Sequence, residues 1–216
     1  LFGSLPFLLS EIDMSFTDAI FESTSGITTT GATVIESLET KSYGILIWRA
    51  LLQWLGGVGI IVMALAVLPM LSIGGMQLFK TESYETPDKV VPKAASFAAG
   101  ISIVYITLTV IWALMLWGAG MPIFDSIAHA MTTLATGGYS TKSESLAAFN
   151  SSTIEIIIIF GMLVGSLPFV HYLTLSKNGL KNLIKDDQVK LFLTLVLFVV
   201  LIISLYLSFN NLPFLD

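Results

Sequence analysis

Four stretches of the chain are apolar and free of formal charge: Ala50 to Met76, Ala94 to Gly118, Ile156 to Ser176 and Leu191 to Phe209. Each has the roughly 20 residues a helix needs to cross a hydrocarbon core of ~30 Å. The pattern therefore predicts an all-α polytopic membrane protein. Between the second and third stretches lie Met121 to Thr133, apolar but too short to span, and the glycine-rich Ala135 to Ser140. A half-length helix followed by a loop is a re-entrant pattern. Irregular backbone at membrane depth is tolerated only where it is buried in protein or lines a polar pathway, because lipid cannot satisfy its amides and carbonyls. A re-entrant loop therefore suggests a pore, with structural turns between helices as the alternative.

The chain also repeats itself. Aligned without gaps, Asp18 to Val34 (DAIFESTSGITTTGATV) and Asp125 to Thr141 (DSIAHAMTTLATGGYST) match at the opening Asp, at the following Ile, at Thr29 with Thr136 and at Gly31 with Gly138. Each copy leads through a polar loop into an apolar segment broken by glycine and proline: Gly56, Gly57, Gly59 and Pro69 in the first, Gly161, Gly165 and Pro168 in the second. At the end, Leu212 to Asp216 repeats Met121 to Asp125, and Leu5-Pro6-Phe7-Leu8 hints at the same approach near the start. The unit is membrane helix, half-length pore helix, filter loop, membrane helix. Residues 1–79 form a first repeat without its opening helix, 80–93 a cytoplasmic linker, 94–176 a complete second repeat, 177–190 a second cytoplasmic linker, and 191–216 the opening helix of a third.

Composition agrees, with 55% hydrophobic and 12% charged residues. Seven lysines lie in the two linkers (Lys80, Lys89, Lys93, Lys177, Lys181, Lys185 and Lys190), against Lys41 and Lys142 in the other loops. The positive-inside rule puts the linkers in the cytoplasm. A net charge of -5 argues against nucleic acid as a partner, and the absence of cysteine removes disulfides and thiolate metal sites. The opening Leu1-Phe2-Gly3 lacks a methionine and a basic n-region, so it reads as an internal cut with no signal peptide.

The chemistry sits in two tracts, Thr28-Thr29-Thr30-Gly31 and Ala135-Thr136-Gly137-Gly138. A potassium ion sheds water only where oxygens replace it, and extended backbone carbonyls around an axis can do so. Glycine turns a carbonyl toward the axis through φ > 0, and threonine adds a hydroxyl and a stiff side chain. The half-helices add partial negative charge at their carboxyl ends. Asp18 and Asp125, at the amino ends, read as caps or as ion-attracting carboxylates. Glu22 and His129 occupy matched places four residues later, either supporting the filter through hydrogen bonds or influencing the ion directly. Arg49 reads as a snorkelling residue or as part of the path, and His171 as an interface or packing residue. The glycines of the first long segment permit close packing or a bend. The four tryptophans fit interface or packing positions. Two distant histidines and the absence of aspartate from the long segments give no support to an enzyme, and no cofactor is expected besides transported K+.

Ser25-Gly26-Ile27-Thr28-Thr29-Thr30-Gly31-Ala32-Thr33, Trp54-Leu55-Gly56-Gly57-Val58-Gly59-Ile60-Ile61, Gly74-Gly75-Met76-Gln77-Leu78-Phe79 and His129 to Thr141 resemble the membrane subunit of Trk-type potassium uptake systems, in the Trk/Ktr/HKT superfamily. The resemblance runs nearly end to end and is closer to the bacterial Trk branch. It implies a potassium-channel-like pore of four helix–pore helix–filter loop–helix repeats, about two of them present here, in a homodimer in the inner membrane. It also implies TrkA-like cytoplasmic nucleotide-binding regulatory subunits as partners, and a gate in the third repeat. Gly31 and Gly138 take the place of the family's filter glycines. Serine at the first position accompanies sodium permeation in the superfamily, so Gly31 favours potassium. The second loop departs from the first in having Gly137 where the first has Thr30. Uptake is read as flow through the pore, with proton- or sodium-coupled symport as the alternative.

Overall fold

The computed structural model describes residues 1–71, 90–169, 171–173 and 185–209, and the side chains among these other than those of 60–71 and 90–97. The lysine-bearing stretches 72–89 and 174–184, the Gly-Gly-Met-Gln-Leu-Phe motif and the terminal Leu-Pro-Phe-Leu-Asp lie outside the described residues. The described secondary structure is helical, without strands. In order it comprises α1 (Leu5–Leu9), α2 (Phe16–Ile27), α3 (Tyr43–Leu71), α4 (Val90–Gly118), α5 (Ile123–Leu134), α6 (Ser152–Ser166) and α7 (Asp187–Phe209), with 3-10 turns between some of them.

The two expected half-length helices are α2 and α5, each of 12 residues. Their amino ends differ from the expectation that Asp18 and Asp125 are the caps. The N-cap of α2 is Ser15, whose Oγ accepts the Asp18 N–H (3.1 Å) and donates to Asp18 Oδ2 (2.7 Å). Ser15 thus caps the helix, and its hydroxyl is braced by the Asp18 carboxylate. In α5 the N-cap is Pro122, and Asp125, buried at the same third helical position, accepts from Thr141 Oγ1 at 2.6 Å. Both carboxylates thus lie in the first turn, where the helix dipole favours them.

α3 and α4 are each 29 residues long. Ala98–Gly118 and Asp187–Phe209 have the length and apolar composition to cross a membrane. The third expected span, Ile156 to Ser176, is not one helix: α6 begins earlier, at Ser152, and stops at Ser166 after 15 residues. Pro168 explains the stop, because its ring disfavours helical backbone at Leu167 and it has no N–H to donate.

Residues 1–166 form one compact unit and 167–216 a second. In the first, α2 packs on α3, while α5 packs on α3, α4 and α6. Every residue from Ala128 to Leu134 is buried, as befits a half-helix enclosed by longer ones. One apolar cluster joins Phe7 of α1 and Ala19 of α2 to Ile45, Leu46 and Leu52 of α3. A second joins Ala50 of α3 to Ala128 and Met131 of α5. Three tryptophans pack inside with their indole N–H groups satisfied: Trp48 to Gly3 O, Trp54 to Thr109 Oγ1 and Trp112 to Ile157 O, each at 3.0 Å. In the second unit His171 pairs with Asp186 at 3.0 Å, and α7 carries exposed apolar side chains along its length.

Glycine decides how closely the helices meet. A Cβ on Gly56 would run into the main-chain carbonyl of Ile27, and one on Gly165 would stand 2.6 Å from that of Leu134. Ile27 and Leu134 are the last residues of the two half-helices, so each long helix touches its half-helix through a glycine at its carboxyl end. One turn away the small partner changes sides. Gly26 of α2 faces Leu52 of α3, whereas in the second repeat Thr133 of α5 faces Gly161 of α6. Gly57 packs against Ala135 and the Tyr105 hydroxyl, and a Cβ on Gly59 would meet no atom within 4 Å among the described residues.

Candidate functional site

Both half-helices end in the same way. In the first, the Thr28, Thr29 and Thr30 N–H groups reach the carbonyls of Thr24, Gly26 and Ser25, at 2.9, 3.0 and 3.0 Å. In the second, the Ala135, Thr136 and Gly137 N–H groups reach Met131, Thr133 and Thr132, at 3.2, 3.0 and 2.9 Å. Every bond has its counterpart 107 residues on, the separation of Asp18 from Asp125. Nested 6→1 and 5→2 bonds around a left-handed residue form the Schellman motif, which normally uses glycine at that residue. Here it is threonine both times, Thr29 with φ 56° and Thr136 with φ 52°. Two residues further, Gly31 and Gly138 both have φ 81°. A β-branched residue in the left-handed region is strained, and such strain persists where surrounding bonds over-determine the backbone.

Behind the loops, Glu22 and His129 are buried and make matched contacts. Glu22 accepts from Thr33 Oγ1 (3.0 Å) and from the Val34 N–H (3.0 Å). His129 Nε2 bonds Ser140 Oγ (3.0 Å), the counterpart of Thr33, and its Nδ1 bonds Asp125 O (2.8 Å). Ser140 Oγ in turn accepts the Lys142 N–H (3.0 Å). Ser25 donates to Ala32 O at 2.6 Å, and the Tyr139 hydroxyl donates to Glu22 O at 2.9 Å.

Arg49 is neither snorkelling nor exposed. It is 1% exposed, donates through Nε to Glu22 Oε1 (2.7 Å) and through Nη1 to Ser140 O (2.9 Å), and lies 4.1 Å from the centroid of the Tyr139 ring. A charge this deep requires a partner, and Glu22 from the first half-helix supplies it. Arg49 thereby links the first half-helix to the second loop. One turn along α3, fully buried Gln53 donates to Gly137 O (2.9 Å) and accepts the Tyr139 N–H (3.1 Å). The loops themselves meet here, since a Cβ on Gly31 would run into Gly137 O.

Gly137 differs from Thr30 because of space: a Cβ there would collide with the Gln53 amide, and its φ is not among the positive ones. In the first loop Thr30 Oγ1 bonds Thr28 Oγ1 at 2.8 Å. Gln53 and Tyr139 were not among the expected site residues, and Arg49 was read as a snorkelling residue or as part of the path rather than as a loop anchor. The available signal was the i, i+4 spacing of Arg49 and Gln53 at the start of an otherwise apolar helix, since polar groups at membrane depth are functional candidates by default.

The TrkH family, described as cation transport proteins, matches residues 2–216. The Trk system potassium uptake protein TrkH of Salmonella typhimurium is 43% identical over 213 residues, covering 97% of this chain and 44% of that protein. TrkI of Halomonas elongata, also a Trk system potassium uptake protein, is 41% identical over 207 residues, covering 95% and 42%. The crystal structure of the potassium transporter TrkH from Vibrio parahaemolyticus is similar with a TM-score of 0.82 and 38% identity, over 95% of this chain and 42% of that one. The chain thus spans less than half the length of these relatives. Over that span, this chain belongs to the TrkH family of cation transport proteins.

Proposed function

We propose that this chain supplies two of four filter quarters of a pore that carries potassium into the cell. The observation that carries the reading is the pair of matched loops, left-handed at Thr29 and Gly31 and again at Thr136 and Gly138, each leaving the carboxyl end of a buried half-helix. Such a backbone turns successive carbonyls in different directions, so some face inward while others bond the scaffold. The half-helix ends add negative potential where a cation would lose its water. Thr28, Thr29, Thr30, Gly31, Ala135, Thr136, Gly137 and Gly138 are the proposed ion-facing segments, with Glu22 and His129 as their support. The relatives named as potassium uptake proteins favour potassium as cargo. On the same reading the whole protein is a homodimer in the inner membrane, docked on TrkA-like nucleotide-binding regulatory subunits.

The test is potassium uptake by transport-deficient cells expressing the full-length parent, compared with Gly31→Ser. The substitution is strained at φ 81° and drives its Cβ into Gly137 O. Expected is uptake by the parent, and a loss of potassium-over-sodium preference of about tenfold in the variant at equal membrane level. An unaltered preference would overturn the filter assignment.

A further inference from the structure

We propose that Gln53 is a positioning residue for ion selection, holding the second loop from a helix that belongs to the first repeat. The inference rests on the filter reading above. Gln53 is fully buried, and its amide makes two bonds to one loop, Nε2–H to Gly137 O and Oε1 from the Tyr139 N–H. It takes the role of a neighbouring strand. Donor and acceptor are both main-chain groups of fixed polarity, so the amide has one satisfied orientation.

A carbonyl tied to a buried amide fixes its peptide plane. The plane between Gly137 and Gly138 is therefore held by the Gln53 donor, and the next plane, which carries the Gly138 carbonyl, by its acceptor on the Tyr139 N–H; the Thr136 carbonyl is held separately by the Gly137 N–H on Thr132 O. The Gly137 carbonyl lies against Gly31, so the distance between the two loops is set at the same point. Arg49, one turn earlier on α3, anchors Ser140 O just beyond. The loop is held at residues 137, 139 and 140 from across the repeat boundary. At the corresponding place of the second repeat, by the register that pairs Gly56 with Gly165, stands exposed Met162, which has no amide to offer. Among the described residues the clamp is thus made from the first repeat onto the second loop.

The experiment uses the full-length parent in lipid nanodiscs and vesicles, with Gln53→Leu, which removes both bonds, and Gln53→Glu. The second keeps the volume and the acceptor for the Tyr139 N–H but, when ionised, cannot donate to Gly137 O. Two readouts are taken: amide hydrogen exchange over residues 137–141, and the potassium-to-sodium flux ratio. Expected for Gln53→Leu is exchange faster by about tenfold or more at Tyr139, and a flux ratio lowered about tenfold with the apparent KM for potassium raised. Gln53→Glu should lower the flux ratio at alkaline pH, where its carboxyl ionises, while leaving Tyr139 protected, and an unchanged ratio there would overturn the role in selection should Gln53→Leu not assemble. Unchanged exchange in Gln53→Leu would overturn the clamp, and faster exchange with an unchanged flux ratio would overturn its role in selection. A parent that carries no potassium would overturn the underlying reading, while the exchange comparison still decides the clamp.

Discussion

Arg49 and Glu22 are each almost wholly shielded from water, and their 2.7 Å contact is the one place in the described membrane core where opposite formal charges meet. Removing one partner of a buried ion pair costs about 3–5 kcal/mol, because the other charge stays buried alone, whereas replacing both is far milder. Arg49→Leu in the full-length protein should therefore lower the thermal denaturation midpoint sharply, and Glu22→Gln combined with Arg49→Leu should recover much of the loss. Equal midpoints for single and double variants would show that the pair is not coupled. Glu22 was legible as a scaffold candidate from its matched position with His129. Its partner was not, because Arg49 lies 27 residues later and nothing in a one-dimensional pattern says which way its helix face turns.

Among the helices, the carboxyl ends of α2 and α5 decide the packing, since Gly56 and Gly165 let the long helices rest on the carbonyls of Ile27 and Leu134. Gly165→Leu places a branched side chain on that carbonyl and should destabilise by about 1–3 kcal/mol, as overpacking does. Gly59→Ala, whose Cβ meets no described atom within 4 Å, should be neutral or stabilising by up to about 1 kcal/mol. Denaturation midpoints of the two variants check this, and equal effects would rule out a packing role for Gly165. The long helices and both half-helices could be read from apolar length and from the repeat. The early end of α6 was implicit in Pro168, but apolar continuity masked it: hydropathy carries no information about a missing N–H.

Across the first compact unit the outer loops of the two repeats are also joined. Glu39 accepts the Ser143 N–H (2.6 Å) and hydroxyl (2.8 Å), and Ser143 Oγ accepts the Leu38 N–H (3.1 Å). The Ser143 N–H bond, above all, holds the exposed Glu39 carboxyl below its ordinary value of 4.5. A carboxyl lowered on folding favours the folded link at neutral pH, and the contribution disappears as pH falls through the lowered value. The Ser143 amide should thus keep its exchange protection down to the ordinary carboxylate range and lose it below. Glu39→Gln should abolish that pH dependence, which hydrogen exchange across an acid titration would reveal; an identical titration in the variant would rule out Glu39 as the source.

Local chemistry was enough to set the membrane class, the half-helices, the duplicated Thr-Gly loops and the positions of their glycines, because hydropathy, chain length and φ preference act within a few residues of one another. What emerged only on folding was the pairing of Arg49 with Glu22 and the joining of the repeats: Arg49 to Ser140, Gln53 to Gly137 and Tyr139, Glu39 to Ser143. Those contacts link residues 27 to 104 positions apart, and the three-dimensional course of α3 between the two loops brings most of them together. Of the two mismatches between the loops, Ala135 for Thr28 and Gly137 for Thr30, the second has its cause there, since the space a side chain would need is filled by an amide from another repeat.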